Sequence, residues 1–434
     1  MSPKRNRTLA GGKRARRLPV LIASLLALSV TAACSSSGGS GGSGGGSGDS
    51  AGGADTGTVT LGFAGGGNLD TYYKQIVTAA EAALPGIKVK TVSYPTYDDQ
   101  LNQMPQQLAA GTIPDVIVWD NSAPVAQYAQ QGAIRSLDDL AAQNKIDLSV
   151  FPDALVKSWK IDGKLYGIPS YLQNSAFVFN KDLLKKAGIS TQPTTMDEVA
   201  TAARTVKAKT GKPGLVVLDN LFHLTQYALA FGGGWGNGKT INSAQNKAGL
   251  QYLVDLFAQG AATTPNKLGA TWDGEAIANN KAAMSDGGPW YIGFMQSSAP
   301  KLSYALTPVP AAGGGSPFVA TYGGSYSISA HAKAPKAAMK LISFLTNEQS
   351  EKAIITTKTG FVPARSTYIQ QYRTSAPQYS AITDSLLANG KTLDYPVKAV
   401  QFGNALVAGF ENITARKSGS VSALLDDLQK QYGS

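Results

Sequence analysis

The chain has 434 residues, of which 43% are hydrophobic and 15% are charged. This length is too great for one ordinary core and is enough for two lobes. The formal net charge of +11 suggests a polyanionic partner, but seven basic residues and no acidic one fall within residues 1–33. The rest of the chain holds 32 basic and 28 acidic residues, a weak field that argues against nucleic-acid binding.

The cysteine and histidine content excludes common metal and disulfide chemistry. Cys34 is the single cysteine, so we expect no internal disulfide and no cysteine-based metal cluster. The two histidines, His223 and His331, lie far apart, and we expect structural or surface roles for them rather than ligand binding. No metal or cofactor motif fits, so we predict neither a metal nor a cofactor.

Residues 1–33 have the three parts of a signal peptide: a basic start, an apolar run of about a dozen residues and small residues at the end. The apolar run is too short to span a bilayer, which needs about 20 residues. Cys34 follows the small residues, as in a bacterial lipobox, although Thr31 stands where leucine is usual. We therefore predict a lipid on Cys34, and an ordinary signal peptide with an incidental cysteine is the alternative.

Residues 35–57 consist almost entirely of serine, glycine, alanine, aspartate and threonine. Such a composition does not bury a core and predicts a flexible tether. Its root-mean-square reach is roughly 25–30 Å. We expect residues 34–57 to hold a folded body close to the membrane surface.

The folded body begins with the pattern of a βαβ unit. Alternating apolar residues over 59–63 predict a strand, and apolar residues at helical spacing over 69–84 predict a helix. A second alternating run, 87–91, completes the unit and predicts a parallel sheet.

The next strand leads to a candidate ligand site. A helical stretch over 97–110 precedes the continuous apolar run 116–119, which is typical of a buried parallel strand. Asp120 and Asn121 follow this run. In open α/β sheets ligands bind at this carboxyl edge.

Later segments continue the α/β pattern and end in a mostly helical region from about residue 334. Thr195 and Glu198 have the spacing of a capping box that starts a helix. Further strands are predicted at 165–169, 177–180 and 215–218, and a short helix at 182–187. No repeat of 20–50 residues is present, which excludes a repeat array.

Six segments, taken in order, resemble motifs of the family 1 extracellular solute-binding proteins, the group of the maltose-binding protein. Each motif alone is weak, but their order and spacing over roughly residues 58–425 are specific. The segments are Pro114-Asp115-Val116, 162–169, 179–189, Lys281-Ala282-Ala283-Met284 with Gly288-Pro289-Trp290, Tyr322-Gly323-Gly324, and 360–365 with its Pro363-Ala364-Arg365 turn.

The resemblance implies a type II periplasmic-binding-protein fold, in which two lobes joined by crossing strands close on a ligand. It places the N-terminal lobe at 58–168 plus 306–348 and the C-terminal lobe at 169–305 plus 349–434. It also implies that the loaded protein docks on the permease subunits of an ABC transporter, at the outer face of the cytoplasmic membrane.

The ligand residues are predicted from side-chain chemistry together with this resemblance. Sugars offer hydroxyls to planar polar groups and C–H faces to aromatic rings. The candidates are Asn68, Asp120, Asn121, Tyr171, Asn174, Trp235, Trp290 and Tyr322.

Each candidate has a structural alternative. Trp290 is the best stacking candidate, because the matched family position often stacks on a sugar, and a core tryptophan is its alternative. Asp120 and Asn121 could cap a turn, and Asn68 could cap the next helix.

The other four candidates carry weaker signals. Tyr171 and Asn174 follow a crossover position that lines the cleft in relatives, and plain lobe surface is their alternative. Trp235 and Tyr322 stand in glycine-rich turns, where an aromatic ring could simply cover a lobe edge.

Residues 233–240 satisfy the P-loop pattern GxxxxGK[ST], but the context argues against phosphate binding. A P-loop lies between a buried strand and a helix that starts at its Lys-Thr pair. Here 224–231 has the pattern of a helix end, and the next helix is expected to start near Ser243. We do not expect nucleotide hydrolysis.

The sequence therefore predicts a non-enzymatic, lipid-anchored, sugar-binding protein of an ABC importer. One alternative is an exported glycan-processing enzyme, for which Asp120 and Asp286 are possible carboxylates without a supporting motif. Another is a binder of a non-sugar solute, such as a polyol or an amino-acid derivative.

Overall fold

The first βαβ unit forms where the sequence predicts it. In the computed structural model, β1 (Gly57–Ala64), α1 (Asn68–Ala83) and β2 (Ile87–Tyr94) follow one another, and the two strands pair in parallel. The structure describes residues 54–65, 68–357, 359–382, 390–391, 393–416 and 418–433. The predicted signal peptide, Cys34 and nearly all of the tether lie outside these residues.

The strands form two main sheets and one short hairpin. The remaining strands are β3 (Val116–Trp119), β4 (Lys160–Ile161), β5 (Lys164–Leu165), β6 (Ile168–Asn174), β7 (Ala176–Asn180), β8 (Leu215–Val216), β9 (Ala262–Thr263), β10 (Met284–Gly287), β11 (Tyr304–Thr307), β12 (Val319–Ile328), β13 (Val362–Pro363) and β14 (Gly390–Lys391). The first sheet has the order β13-β6-β12-β3-β1-β2, with β14 paired to β12. The second sheet has the order β11-β7-β10-β8-β9. We call each sheet, with the helices packed on it, the first lobe and the second lobe.

Helices cover both sheets, as the α/β pattern requires. They are α2 (Tyr97–Ala109), α3 (Val125–Gln130), α4 (Asp138–Gln143), α5 (Asp153–Ser158), α6 (Lys181–Lys186), α7 (Met196–Thr210), α8 (Leu221–Ala230), α9 (Ala244–Ala258), α10 (Asp273–Ala278), α11 (Trp290–Ser298), α12 (Pro335–Leu345), α13 (Glu348–Thr356), α14 (Ser366–Ser375), α15 (Ala399–Thr414) and α16 (Val421–Tyr432). None of these described helices is both long enough and apolar enough to cross a membrane.

The lobes are joined where the chain passes from one sheet to the other. Between β6 of the first sheet and β7 of the second stands one residue, Ser175. The N–H of Ser175 donates to the carbonyl of Ala320 at 2.8 Å, and the N–H of Ala320 donates to Ser175 Oγ at 2.7 Å. Because Ala320 lies in β12, this reciprocal pair ties one crossing to a second strand at the junction.

Both faces of the second sheet are buried, which explains its continuous apolar strands. In β7, Val178 packs with the core of the first lobe, whereas Phe177 and Phe179 pack in a second core. Neighbouring side chains of a strand point to opposite faces, so both faces are covered. Helices α15 and α16 complete the second core by packing on α8 and α9.

Local signals in the second lobe act as predicted. Thr195 and Glu198 form a reciprocal capping box at the start of α7. The segment 233–240 follows helix α8 rather than a strand, and Ser243 caps the start of α9. The P-loop pattern therefore lacks the strand–loop–helix context that phosphate binding needs.

Candidate functional site

The carboxyl ends of parallel strands point toward one cleft from both lobes. In the first lobe β1, β2 and β3 are parallel, so their carboxyl ends share one edge, and Asp120 follows β3 there. In the second lobe β8 and β10 are parallel and lead to Asn220 and Trp290. Side-chain contacts between these two edges, given below, show that they face each other.

Asp120 is held by one tyrosine of the first sheet. The hydroxyl of Tyr171, in β6, donates a hydrogen bond to Asp120 Oδ1. Burial raises the pKa of Asp120 to about 6, although the Tyr171 hydrogen bond lowers it, and the charge of Asp98 raises it further. The half-buried carboxylate of Asp120 thus forms no salt bridge with a described lysine or arginine.

The two asparagines of the first lobe stay predictions as ligand residues. Asn121 is half-buried, and its Oδ1 accepts a hydrogen bond from the N–H of Ala123 at 3.1 Å. This contact is the turn bond that the structural alternative predicts. Asn68 begins α1, directly after residues 66–67, which lie outside the described part of the chain.

Three half-buried aromatic rings meet at the cleft. The ring of Phe222, in α8, lies 5.8 Å from the ring of Trp290 and 5.2 Å from that of Tyr322. Trp290 starts α11 of the second lobe, and Tyr322 belongs to β12 of the first sheet. We call these residues the aromatic group. It brings together Trp290 and Tyr322, which the sequence predicts, and Phe222, which it does not.

Tyr171 and Asn174 lie on β6 but face partners within the protein. The ring of Tyr171 stacks on Phe361 with centroids 4.1 Å apart. The amide of Asn174 is fully buried, donates to Thr321 Oγ1 at 3.2 Å and accepts a hydrogen bond from the hydroxyl of Tyr379. Tyr171 therefore positions Asp120, and Asn174 fixes the strand junction.

Trp235 lies in the second core rather than in the aromatic group. Its ring is fully buried and packs edge-on against Phe402 at 5.1 Å. Its indole N–H donates to Thr225 Oγ1 at 2.8 Å. Since its ring and its donor are both used inside the core, we leave Trp235 out of the proposed ligand group.

A buried ion pair lies beneath the aromatic group. His223 follows Phe222 in α8, and its Nδ1 lies 2.7 Å from Asp286 Oδ2. Burial lowers the pKa of His223, but the charges of Asp286 and Asp273 outweigh it and raise the pKa to about 9. The imidazole is therefore charged at neutral pH and neutralises Asp286.

A second carboxylate, Asp273, shares this buried region. Its Oδ2 accepts hydrogen bonds from the hydroxyls of Ser285, at 2.7 Å, and Tyr291. Burial raises the pKa of Asp273, although the charge of His223 lowers it. Among the described residues no group of three or more His, Cys, Asp or Glu side chains is arranged to hold a metal ion.

Asp98 reaches from the first lobe toward the second. Desolvation by the surrounding protein raises the pKa of its carboxyl, whereas a hydrogen bond from Asn220 and the charge of His223 lower it. The side chain of Asp98 is also exposed to solvent. The hydrogen bond with Asn220 places the start of α2 opposite the start of α8.

A surface groove among the described residues lies elsewhere and does not contain these side chains. It has a volume of about 450 Å³ and is lined by Asp182, Leu183, Lys185, Lys186, Lys212 and Asn280. In the β7–β10 pair, Gly287 lies opposite Ala176 at the cleft end, and Met284 lies opposite Phe179 at the other end. Asp182 follows β7 and Asn280 precedes β10 at that other end, so the groove opens away from the aromatic group.

The site residues that the sequence analysis missed are Phe222, His223 and Asp98. One available signal pointed to Phe222 and His223. Asn220 follows β8 and caps α8 by accepting the N–H of His223 at 3.0 Å, at a carboxyl strand edge like that of Asp120. The rule that ligands bind at the carboxyl edge of parallel strands, used above for Asp120, thus applies to the second lobe as well.

Comparisons with known proteins identify a matching family. A family model described as "Bacterial extracellular solute-binding protein" matches residues 75–383. An arabinooligosaccharide-binding protein of Bacillus subtilis is 26% identical over 316 residues, which cover 68% of this chain and 71% of the relative. A galactooligosaccharide-binding protein of the same organism is 25% identical over 280 residues, covering 61% of this chain and 64% of the relative.

A solved structure shows the same fold. An ABC substrate-binding protein of Listeria monocytogenes, in complex with cycloalternan, superimposes with a TM-score of 0.77 at 22% identity, covering 86% of this chain and 97% of the other. The fold is thus the two-lobed type II periplasmic-binding-protein fold that the sequence predicts. The family acts outside the cytoplasm by binding solutes and not by catalysis. Because the family model covers most of the chain, the protein belongs to the bacterial extracellular solute-binding proteins.

Proposed function

We propose that the protein captures a carbohydrate between its lobes and delivers it to the permease of an ABC importer. The observation that carries the proposal is the aromatic group of Phe222, Trp290 and Tyr322, together with the Asp120 carboxylate, whose charge acts on the Tyr322 hydroxyl. Aromatic faces pack against the C–H faces of a sugar, and a carboxylate accepts hydrogen bonds from its hydroxyls. The relatives named for arabino- and galactooligosaccharides support this solute class.

Lobe closure is the proposed mechanism of capture. The boundaries expected from sequence are 58–168 plus 306–348 for the N-terminal lobe and 169–305 plus 349–434 for the C-terminal lobe. For the two moving bodies we use the first and second lobes defined by the two sheets, which assign β6 and β13 to the first lobe. Asp120 and Trp290 lie on opposite lobes, so a ligand contacts both at once only in a closed form. A ligand shifts the open–closed equilibrium only by its differential affinity for the two forms. Contacts made by both lobes supply that difference.

A glycan-processing enzyme is less well supported by the geometry. Of its two candidate carboxylates, Asp286 is fully buried and paired with His223 at 2.7 Å. A general acid or base must reach the proton it transfers. The solute-binding family assignment also favours binding without catalysis.

We also propose that the protein is exported by the signal peptide 1–33 and anchored through a lipid on Cys34. Residues 34–57 would then tether the folded body to the outer face of the cytoplasmic membrane, close to the permease. Intact-mass analysis of protein from the membrane fraction tests this. We expect a diacylglycerol adduct on Cys34, and an unmodified, freely secreted chain would remove the anchor while leaving the binding proposal intact.

The binding proposal is tested by thermal unfolding against a panel of sugars, polyols and amino acids. A ligand that binds only the folded form raises the melting temperature, in proportion to the logarithm of its concentration over Kd. We expect at least one sugar to do so, with Trp290→Ala reducing its affinity by at least about tenfold. The conservative Trp290→Phe should keep part of the affinity.

The core tryptophan supplies the matched control. Trp235→Phe should lower stability while leaving sugar affinity unchanged, because that ring lies in the second core. If polyols or amino acids shift the melting temperature and sugars do not, the carbohydrate proposal is wrong and the ligand belongs to that other solute class.

A further inference from the structure

The carboxylates around the cleft outnumber the cations. Asp98 and Asp120 line the first lobe, and Asp273 and Asp286 lie in the second. Burial raises the pKa of Tyr322, and the charges of Asp120 from the first lobe and Asp286 from the second raise it further, so both carboxylates lie within electrostatic reach of this hydroxyl. The charge of His223 acts on Asp286, Asp273 and Asp98.

His223 serves the second lobe, so the first-lobe carboxylates lack a full partner. It is bound at 2.7 Å to Asp286 and is nearly fully buried. Within the described part of the chain, no lysine or arginine forms a salt bridge with any of the four carboxylates. The Oδ1 atoms of Asp273 and Asp286, both fully buried, accept no hydrogen bond from a described residue.

The aromatic group adds a surface that attracts cations. Ring faces carry negative charge density and bind ammonium groups within about 6 Å. The lysines and arginines that lie over rings in the described residues use Phe257, Tyr368, Phe151 and Phe318, and none lies over Phe222, Trp290 or Tyr322. The rings of Trp290 and Tyr322 are therefore not occupied by a described lysine or arginine, whereas the ring of Phe222 already meets the charged imidazole of His223, with centroids 5.1 Å apart.

From this arrangement we infer that the preferred ligand is a carbohydrate that carries a protonated amino group, received between Asp98, Asp120 and the aromatic group. The inference rests on the proposed carbohydrate function and narrows its solute class. An ammonium group donates up to three hydrogen bonds to carboxylates and supplies the charge that the first-lobe carboxylates lack. A neutral sugar satisfies the same acceptors without balancing their charge.

The test compares sugars that differ only at one substituent. Glucose, glucosamine and N-acetylglucosamine form one triple with hydroxyl, ammonium and acetamide at the same carbon, and the galactose and mannose series form two more. Affinities are measured by calorimetry near neutral pH at low salt. We expect the ammonium member of at least one triple to bind about tenfold more tightly than its hydroxyl and acetamide counterparts.

Charge variants separate the electrostatic effect from shape. Asp120→Asn keeps the size of the side chain and should abolish most of the ammonium preference. Asp139→Asn is the matched control, because Asp139 is an exposed aspartate of α4 in the same lobe. Raising the salt concentration should weaken the ammonium form more than the hydroxyl form.

The preference should also fall on acidification through about pH 6, where Asp120 takes up a proton. The titratable groups that face it are Asp98 and Tyr97 from α2, Tyr73 from α1, Tyr171 from β6 and Tyr322 from β12. His223 stays charged throughout this range, so the loss reports the first-lobe carboxylates.

The outcomes distinguish this inference from the proposal on which it rests. If hydroxyl sugars bind as tightly as, or more tightly than, their ammonium counterparts, the amine preference is overturned and the carbohydrate function stands. If the preference survives Asp120→Asn and Asp98→Asn, the carboxylates do not cause it and the assignment fails. If no sugar of any triple binds, the carbohydrate proposal fails, and this inference fails with it.

Discussion

The cleft carboxylates of the two lobes differ in their burial and in the charge of their partners. In the second lobe Asp286 is fully buried and paired with a charged histidine at 2.7 Å. In the first lobe Asp120 is half-buried and has one tyrosine hydroxyl as its partner. A compensated buried charge fixes structure, whereas a partly exposed and uncompensated charge remains available to a ligand.

This difference in charge compensation indicates a structural role for Asp286 and a ligand-binding role for Asp120. The His223–Asp286 pair supports the helix that carries Phe222, and so positions the aromatic group from below. Asp120, with its pKa raised to about 6 by burial, carries an electrostatic cost that a ligand relieves. Substitutions of the His223–Asp286 pair should therefore act mainly on stability, and substitution of Asp120 should also act on ligand affinity.

The largest effect is expected from breaking the buried pair. His223→Leu leaves Asp286 and Asp273 charged without their cation, which should lower the free energy of unfolding by about 3–5 kcal/mol. Urea denaturation measures this loss. The double variant His223→Leu/Asp286→Asn removes both charges and should recover part of it. A single variant within about 0.5 kcal/mol of wild type would show that the pair does not support the lobe.

The same pair predicts a pH dependence of stability. The pKa of His223 in the folded protein is about 9, above the value of about 6.5 expected when unfolded. The stabilisation is therefore fully present below about pH 6.5 and is lost as pH rises through about 9. Unfolding measured over this range should show the decline in wild type, and His223→Leu should lack it.

The second-largest effect on the free energy of unfolding is expected from Asp120, whose ionisation destabilises the fold. The folded pKa of Asp120, about 6, lies above its unfolded value of about 3.9, so ionisation at neutral pH destabilises the fold. Asp120→Asn should therefore raise the free energy of unfolding at about pH 7–8 by about 1–3 kcal/mol, and the gain should vanish below about pH 4. Sugar affinity should fall in the same variant. Lower stability together with unchanged affinity would reverse the assignment of tasks between the lobes.

The sequence predicted the local structure of both lobes because short-range patterns determine it. The βαβ start, the capping box at Thr195 and the helix that begins after Ser243 are set by neighbouring residues, and each prediction is confirmed. The rejection of the P-loop rested on the same local context. The family motifs then predicted the type II fold, which the structural comparison confirms.

The site was less predictable, because its contacts join distant parts of the chain. His223 and Asp286 are 63 residues apart, and Asn174 and Tyr379 are 205 apart. The family resemblance favoured Trp290 over Trp235, but both remained candidates. Only the packing shows that the N–H of Trp235 is paired inside the second core.

A smaller effect should follow from removing the partner of Asp120. Tyr171→Phe keeps the ring that stacks on Phe361 at 4.1 Å and deletes the hydroxyl that donates to the carboxylate. Loss of one such bond should cost about 1 kcal/mol. Because this hydrogen bond lowers the pKa of Asp120, the pKa should rise above about 6 in the variant. Carboxyl NMR titration measures it, and an unchanged pKa would contradict the proposed contact.

The smallest effect on stability is expected from Asp98→Asn, and it tests the first-lobe arrangement most specifically. Asp98 is exposed, so the free energy of unfolding should stay within about 0.5 kcal/mol of wild type. Its charge raises the pKa of Asp120, so the pKa of Asp120 should fall in this variant. Tyr171→Phe and Asp98→Asn thus shift one carboxyl in opposite directions, while Asp139→Asn should leave it unchanged. If Asp98→Asn left the pKa of Asp120 unmoved, the two carboxylates would act independently, and a single ammonium group held between them would lose its electrostatic basis.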